Sequence, residues 1–406
     1  MPPLSLLIKP ASSLCNLDCR YCFYHDIAAH RTTPSHGIMP EDVLDTLIRK
    51  ALAQADGSCS FAFQGGEPTV AGLPFFRRVV ALQRKYNDRK LTIHNAIQTN
   101  GLAIDREWAE FLAEHRFLVG VSLDGPRDVH DAVRVDTRER GTFDRVMAAI
   151  GHLRSARADF NVLSVVTGWS ARHAEKIYRF LRKEGFGFLQ FIPCLDPLGE
   201  ADGKADGDTA GEAADTAPGR RAVIAPGEAS GMVAGGRPFS LTAERYATFL
   251  ITLFDLWKAD ALRGDPVSIR WFDNLAGQFL GAPPEACGMS GRCSCQFVVE
   301  ADGGVYPCDF YVLDAWRAGS VLTDDFDQIR QSEVVRRFIA DSLPIDDACA
   351  ACTWQGLCRG GCRRDREPFT EGMPALNRFC SAYRRFFEHA APGLEQVARM
   401  YANHRS

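Results

Sequence analysis

The chain predicts an α/β protein built on a parallel sheet, and three observations carry that expectation. Through the first half, short apolar segments rich in β-branched and aromatic residues alternate with longer segments of helical period. Six such strands separated by helices need crossover connections, which in a parallel sheet are right-handed. Length and composition agree, because 406 residues, 46% hydrophobic and 24% charged, suffice for one large α/β domain and a smaller one. Pattern alone leaves two windings open, a doubly wound sheet and a partial barrel.

The first strand is expected at Leu4–Lys9, and a helix follows at Pro40–Ala55, where Glu41 and Asp42 suit the positive helix end. Ser60–Phe63 and Leu91–Gln98 read as the next strands, with the helix Leu73–Tyr86 between them. Asp105 is a natural N-cap for a helix over Arg106–His115, and Leu118–Leu123 is the fourth strand. The helix Thr142–Ala156, the strand Asn161–Val166, the helix Ala171–Glu184 and the strand Phe188–Ile192 complete the alternation. Composition then changes. Residues 199–238 are rich in Ala, Gly, Asp and Thr and read as a flexible insertion without chemistry. Ala243–Ala259 has apolar residues at helical spacing, and a shorter helix near Ile269–Leu280 carries Asp273. The expected divisions are 1–198, the insertion, a bridging segment 239–286, a cysteine-rich domain 287–385 and a helical tail 386–406.

Several function classes are disfavoured. A net charge of −4 makes no electrostatic case for nucleic acid. No basic segment precedes a long apolar run at the N-terminus, and no window approaches about 18 uninterrupted apolar residues, so neither membrane nor export is expected and the cytoplasm is. Fourteen cysteines in such a chain suggest metal or redox chemistry rather than disulfides.

The cysteines have informative spacing. Cys15, Cys19 and Cys22 form C-x3-C-x2-C directly after the first strand, flanked by Tyr21 and Phe23. A closed zinc site wants four ligands, and only His25 is near enough in sequence to be a fourth. Three thiolates instead leave one iron of a [4Fe-4S] cluster open. This loop resembles that of the radical S-adenosylmethionine (SAM) superfamily, whose cluster binds SAM at the open iron and cleaves it to a 5'-deoxyadenosyl radical. The resemblance implies a six-stranded partial (β/α) barrel, with its site at the C-terminal strand ends.

Other strand ends fit that reading. Gln64-Gly65-Gly66-Glu67-Pro68 follows the second strand, and its glycines allow close approach of a ligand while the Glu67 carboxylate can accept from an ammonium group. By resemblance Gly66 and Glu67 meet the SAM amino group, Ser122 and Arg134 hold its polar parts, Leu195 packs near its adenine, and Tyr21 contributes main chain.

Nine cysteines lie beyond residue 286. Cys287 is followed by Gly303 and Cys308 in the pattern C-x15-G-x4-C, Cys349 to Cys362 read C-x2-C-x5-C-x3-C, and Cys380 follows alone. By spacing alone two structural zincs are a rival. The whole pattern looks like the SPASM extension, which binds two auxiliary [4Fe-4S] clusters. The resemblance implies that Cys287, Cys293, Cys308 and Cys362 hold the first, and that Cys349, Cys352, Cys358 and Cys380 hold the second, with Cys295 competing with Cys293. Three clusters result, counting that of Cys15, Cys19 and Cys22. Cys59 and Cys194, in apolar strand contexts, are expected to be core thiols.

Longer stretches narrow the family. Pro2 to Ser13, Ser60 to Thr69, Leu189 to Ile192, and Cys295 to Glu300 through Tyr306 to Tyr311 are similar to the anaerobic sulfatase-maturating enzymes. These oxidise a cysteine or serine within a Cys/Ser-x-Pro/Ala-x-Arg segment of a nascent or unfolded sulfatase to Cα-formylglycine, drawing electrons from a donor such as flavodoxin or ferredoxin. A thiol of reference pKa about 8.5 then needs a base. Asp309 matches the family's proton acceptor and is pinned by its neighbour Cys308; Asp273 and Asp124 are reserves. The nearer rival is a SPASM maturase that cross-links a ribosomal peptide. A non-catalytic zinc or iron–sulfur protein is the more distant one.

Overall fold

The computed structural model describes residues 3–198, 239–367, 369–370 and 372–403, so the insertion expected at 199–238 lies outside the described residues. Strand β1 (Leu4–Ile8) leads to helices α1 (Phe23–Ala29) and α2 (Glu41–Gln54). Next come β2 (Ser58–Phe63), α3 (Leu73–Tyr86), β3 (Thr92–Thr99), α4 (Arg106–Glu114) and β4 (Phe117–Ser122). The chain continues through α5 (Arg127–Asp131), α6 (Phe143–Ala156), β5 (Phe160–Val166), α7 (Ala174–Lys183) and β6 (Phe188–Pro193). Beyond the insertion lie α8 (Ala243–Leu262), β7 (Ser268–Ile269) and α9 (Arg270–Phe279).

Strands β1 to β7 stand side by side in chain order, and every pairing is parallel. A doubly wound sheet reverses its order at a switch point. An unbroken order keeps every crossover moving the same way and stacks the helices on one face, which is barrel winding. The ladder is linear rather than closed, so the barrel is partial.

Side-chain alternation sets the two faces. In β4, Val119 and Val121 are fully buried against the helices, whereas Leu118 and Gly120 line a central cavity. Phe63, Phe76, Trp108 and Phe117 pack edge to face or tilted beneath the sheet, with Phe63–Phe76 centroids 5.1 Å apart and Phe76–Trp108 5.3 Å. Burying each phenylalanine contributes about 1.5–3 kcal/mol.

Several expectations need correction. The helix expected over Ala171–Glu184 divides into a 3-10 turn at Ser170–His173 and then α7. Thr167 and Ser170 cause the break by capping each other, with Thr167 N–H donating to Ser170 Oγ at 2.8 Å and Ser170 N–H to Thr167 Oγ1 at 3.1 Å. The C-terminal helix spans Cys380–Asn403 without interruption, so no boundary falls at 386. The cysteine-rich region is joined to the barrel through the sheet. Its strands β8 (Val298–Val299), β9 (Gly304–Tyr306) and β10 (Gly319–Ser320) extend the barrel sheet, β8 pairing parallel to β1 through Leu7↔Val298 and Ile8↔Val299. Among the described residues no helix is long and apolar enough to cross a membrane.

Candidate active site

The loop after β1 carries Cys15, Cys19 and Cys22, and each thiol interacts electrostatically with another of the three. Burial pushes Cys15 and Cys19 up to about 12, so any metal held here must displace protons from thiols that its own charge makes acidic. His25, the one near fourth donor, points to Asp18 at 3.5 Å on the exposed side of the loop. Asn100 Nδ2 approaches Cys15 Sγ at 3.8 Å and donates to Asn16 Oδ1 at 2.7 Å. Leu17 N donates to Cys15 Sγ at 3.3 Å, and three thiols with two amide donors and, among the described residues, no fourth protein ligand make a cradle suited to an open-iron cluster.

The Glu67 carboxylate has a role within the fold itself. It is 1% exposed, and Oε1 accepts from Thr69 N at 3.0 Å, Thr69 Oγ1 at 2.6 Å and Thr99 Oγ1 at 2.7 Å, while Oε2 accepts from Asn100 N at 2.7 Å. Burial pushes this carboxyl up and the four donors oppose the rise. Its own N–H donates to Leu14 O at 2.7 Å. Glu67 therefore ties the loops after β1, β2 and β3 together, and Oε2, with one donor, keeps room to accept another.

Beyond β4, Asp124 joins two expected site residues. Tyr21 Oη donates to Asp124 Oδ2 at 2.6 Å, and Arg134 Nε donates to the same oxygen at 2.9 Å. Arg134 Nη1 also lies 3.9 Å from Cys19 Sγ. Asp124 N–H donates to His130 Nδ1 at 3.3 Å, and burial pushes His130 down to about 3, so the ring is neutral with its proton on Nε2. That proton points at Thr142 Oγ1, 3.0 Å away, whose hydroxyl donates to Arg134 O at 3.1 Å. Arg134 is thus buried and fixed from both ends. Ser122 Oγ accepts from Gln98 Nε2 at 3.2 Å. Leu195 is half-buried in the loop after β6, which Arg378 anchors through Asp196, Asp365 and Cys194 O.

A cavity of about 930 Å³ occupies the inner face of the sheet. Gln64 after β2, Gln98 in β3, Asn161 in β5 and Gln190 in β6 furnish amides, and Cys287, Cys293 and Cys308 reach its wall from the cysteine-rich region. Asp309 is on that wall; Asp124 and Asp273 are not. Asp273 accepts from Ser268 Oγ at 2.6 Å, and burial pushes it up to about 6. Asp309 Oδ2 accepts from Tyr24 Oη at 2.5 Å and from Gln64 Nε2 at 3.3 Å, and Gln64 Nε2 also reaches Tyr24 Oη at 2.7 Å. Lys9 Nζ pairs with Asp309 Oδ1 at 3.0 Å and lies 4.0 Å above the Tyr24 ring. Gly65 makes room for this ammonium, because a Cβ there would sit 2.8 Å from Lys9 Nζ and 2.7 Å from Cγ. Lys9 and Tyr24 carry no motif of their own; a lone cation ending an apolar strand was the available signal.

The remaining cysteines fall into two groups. Cys308 interacts with Cys362 and Cys287, and Cys362 with Cys287 and Cys293. Cys358 interacts with Cys349, Cys380 and Cys352. Cys295 has no cysteine among its electrostatic neighbours, and its thiol faces Phe297 N and Arg330. Cys59 is buried in β2 and Cys194 in the loop after β6, as expected of core thiols. No group of His, Cys, Asp or Glu among the described residues converges on a single metal ion. Two sets of four thiols, each without a histidine or carboxylate among the grouped residues, match the ligand type of [4Fe-4S] clusters.

Residues 10–181 match the radical SAM superfamily, and residues 287–353 match the iron-sulfur cluster-binding SPASM domain. The protein is a radical SAM enzyme with an iron–sulfur extension, and SAM and [4Fe-4S] clusters are its cofactors. It is 46% identical over 398 residues to the cysteine-type anaerobic sulfatase-maturating enzyme of Clostridium perfringens (strain 13), which spans 98% of this chain and 99% of that one. The serine-type enzyme of Bacteroides thetaiotaomicron is 30% identical over 99% of this chain and 92% of its own. The solved structure of native anSMEcpe with bound AdoMet and Cp18Cys peptide superposes with a TM-score of 0.86 at 44% identity, over 98% of this chain and 100% of that one. The chain belongs to the anaerobic sulfatase-maturating enzymes.

Proposed function

We propose that this enzyme oxidises a cysteine of an unfolded or nascent sulfatase to Cα-formylglycine inside the 930 Å³ cavity. The observation that carries the reading is the placing of Asp309, the one candidate acid on the cavity wall, between Tyr24, Gln64 and Lys9. The greater identity to the cysteine-type than to the serine-type relative supports a cysteine substrate. When bound, SAM supplies the hydrogen-abstracting radical, and the clusters an electron path. The chain's own residues position and deprotonate the substrate. Asp309 takes the thiol proton, while the Lys9 ammonium, Tyr24 and Gln64 hold its carboxylate in place. The cavity amides of Gln98, Asn161 and Gln190 offer donors and acceptors to the main chain of a peptide.

In this reading Cys15, Cys19 and Cys22 hold the SAM cluster. Cys287, Cys293, Cys308 and Cys362 hold the first auxiliary cluster, and Cys349, Cys352, Cys358 and Cys380 the second. SAM lies among Gly66, Ser122, Arg134 and Leu195, with the main chain of Tyr21 and Glu67 beside it. A low-potential donor of the flavodoxin or ferredoxin type reduces the SAM cluster.

Mass spectrometry tests the activity. A synthetic cysteine peptide with the sulfatase motif, incubated anaerobically with reconstituted enzyme, SAM and reductant, should lose the mass that separates a thiol from an aldehyde, with 5'-deoxyadenosine formed alongside. Deoxyadenosine with an unchanged peptide would refute the substrate. Iron analysis tests the ligands: Cys293→Ala should drop about four irons, and Cys295→Ala none. The reverse result would exchange the two residues.

A further inference from the structure

A buried guanidinium without a carboxylate partner lies between the two cysteine quartets. Arg366 is 2% exposed, and its Nη1 and Nη2 donate only to main-chain carbonyls, Pro344 O at 3.1 Å and Ser342 O at 2.8 Å. Its Nε–H is buried with no acceptor. The flanking acids are engaged elsewhere, Asp365 with Arg378 at 3.1 Å and Glu367 with the Tyr311 hydroxyl. The Arg366 side chain passes Gly360, where a Cβ would lie 3.7 Å from Arg366 Cδ and Nη1, in the stretch that joins Cys358 of the second quartet to Cys362 of the first. Ser342, whose carbonyl Arg366 holds, accepts the N–H of Cys293 on its Oγ at 2.9 Å. Arg366 also lines the cavity wall beside Cys362.

A buried cation with no counter-charge is costly, and so is a buried N–H without an acceptor. Among the described residues no acidic side chain relieves either cost. Thiolate-ligated clusters on both sides would relieve both, since they are anionic and their sulfurs accept hydrogen bonds.

We propose that Arg366 is a positioning residue that sets the reduction potentials of both auxiliary clusters, its charge lying between them and its Nε–H available to a sulfur. Each cluster becomes more negative on reduction, so a fixed cation and an N–H donor stabilise the reduced form and raise the potential. A single cation shared by both clusters raises both potentials together, which suits clusters that must accept an electron leaving the substrate. The proposal rests on the ligand sets given above but not on the identity of the peptide substrate.

The test is an EPR-monitored redox titration without substrate, on wild type, R366Q and R366K, each with its iron counted. At the ambient potential that half-reduces the wild-type auxiliary clusters, R366Q with full iron should show about a tenfold lower ratio of reduced to oxidised cluster, or 59 mV for one electron. R366K, which keeps the charge, should fall between. A titration of iron-replete R366Q that overlays wild type overturns the proposal. Should R366Q lose iron, R366K decides: retention of iron with a near-native titration upholds the charge role, and loss of iron from both variants makes Arg366 a packing residue and ends it. Failure of the peptide assay would leave these titrations unaffected, so the two readings fail separately.

Discussion

Asp309→Asn is expected to slow peptide oxidation by about 10²–10⁴-fold, the usual worth of a general base, while SAM is still cleaved to deoxyadenosine. Asparagine keeps the shape of the side chain and can still meet the Tyr24 hydroxyl, but it cannot hold the substrate's proton. The change has a second consequence that must be separated from the first. Lys9 is 3% exposed and pairs with Asp309 at 3.0 Å, so the variant strands a buried ammonium. Removing one partner of a buried pair costs about 3–5 kcal/mol. The double variant Lys9→Met/Asp309→Asn removes the stranded charge, and its melting temperature should recover toward wild type while its oxidation rate should not. Oxidation by iron-replete Asp309→Asn within tenfold of wild type would remove Asp309 as the base.

Gly66→Ala is expected to abolish activity by a different route. A Cβ on Gly66 would stand 2.3 Å from Leu14 O and 2.8 Å from Ser13 C, at a φ of +41°. Both obstacles are main chain of the segment leading into Cys15, so no side-chain rotation relieves the clash. The cysteine loop must move, and the Glu67 N–H bond to Leu14 O, 2.7 Å in the native chain, must break with it. Iron analysis should show a loss of about four irons from the SAM cluster, with the auxiliary clusters intact and no deoxyadenosine formed. Native iron content together with native SAM cleavage would contradict this account.

The long strands are readable in the sequence because five to eight residues suffice to show an apolar run bounded by Gly, Pro or Asp. Val119 and Val121 against Leu118 and Gly120 illustrate the two-residue period, and structure and sequence differ there by one residue at each end. Strands β7 and β8 hold two residues each, too few for any period, and exist because distant partners align them. Helix α1 escapes for the same reason, since only Ile27 and Ala28 of its seven residues are buried. In the site, the cysteines are legible because metal chemistry fixes residue type and spacing. The setting of Asp309 is not: Lys9, Gln64 and Tyr24 come from three segments and meet only when the ends of β1 and β2 and helix α1 are folded together. Glu67 shows the converse, a motif residue whose carboxylate the fold uses for its own loops.

The pairing of β8 with the outer edge of β1 bears on how the chain is made. Ribosomes release Leu7 and Ile8 nearly three hundred positions before their partners at 298–299, and for that interval the first strand keeps one bare edge. Such an edge is a template for strand addition from other chains, and pairing this remote in sequence forms slowly. A nascent barrel therefore waits, sticky on one flank, for its cysteine-rich end to emerge. Truncation anywhere before residue 298 should yield an aggregating fragment rather than a smaller enzyme, and overproduction should favour slow translation or chaperone supply during that gap.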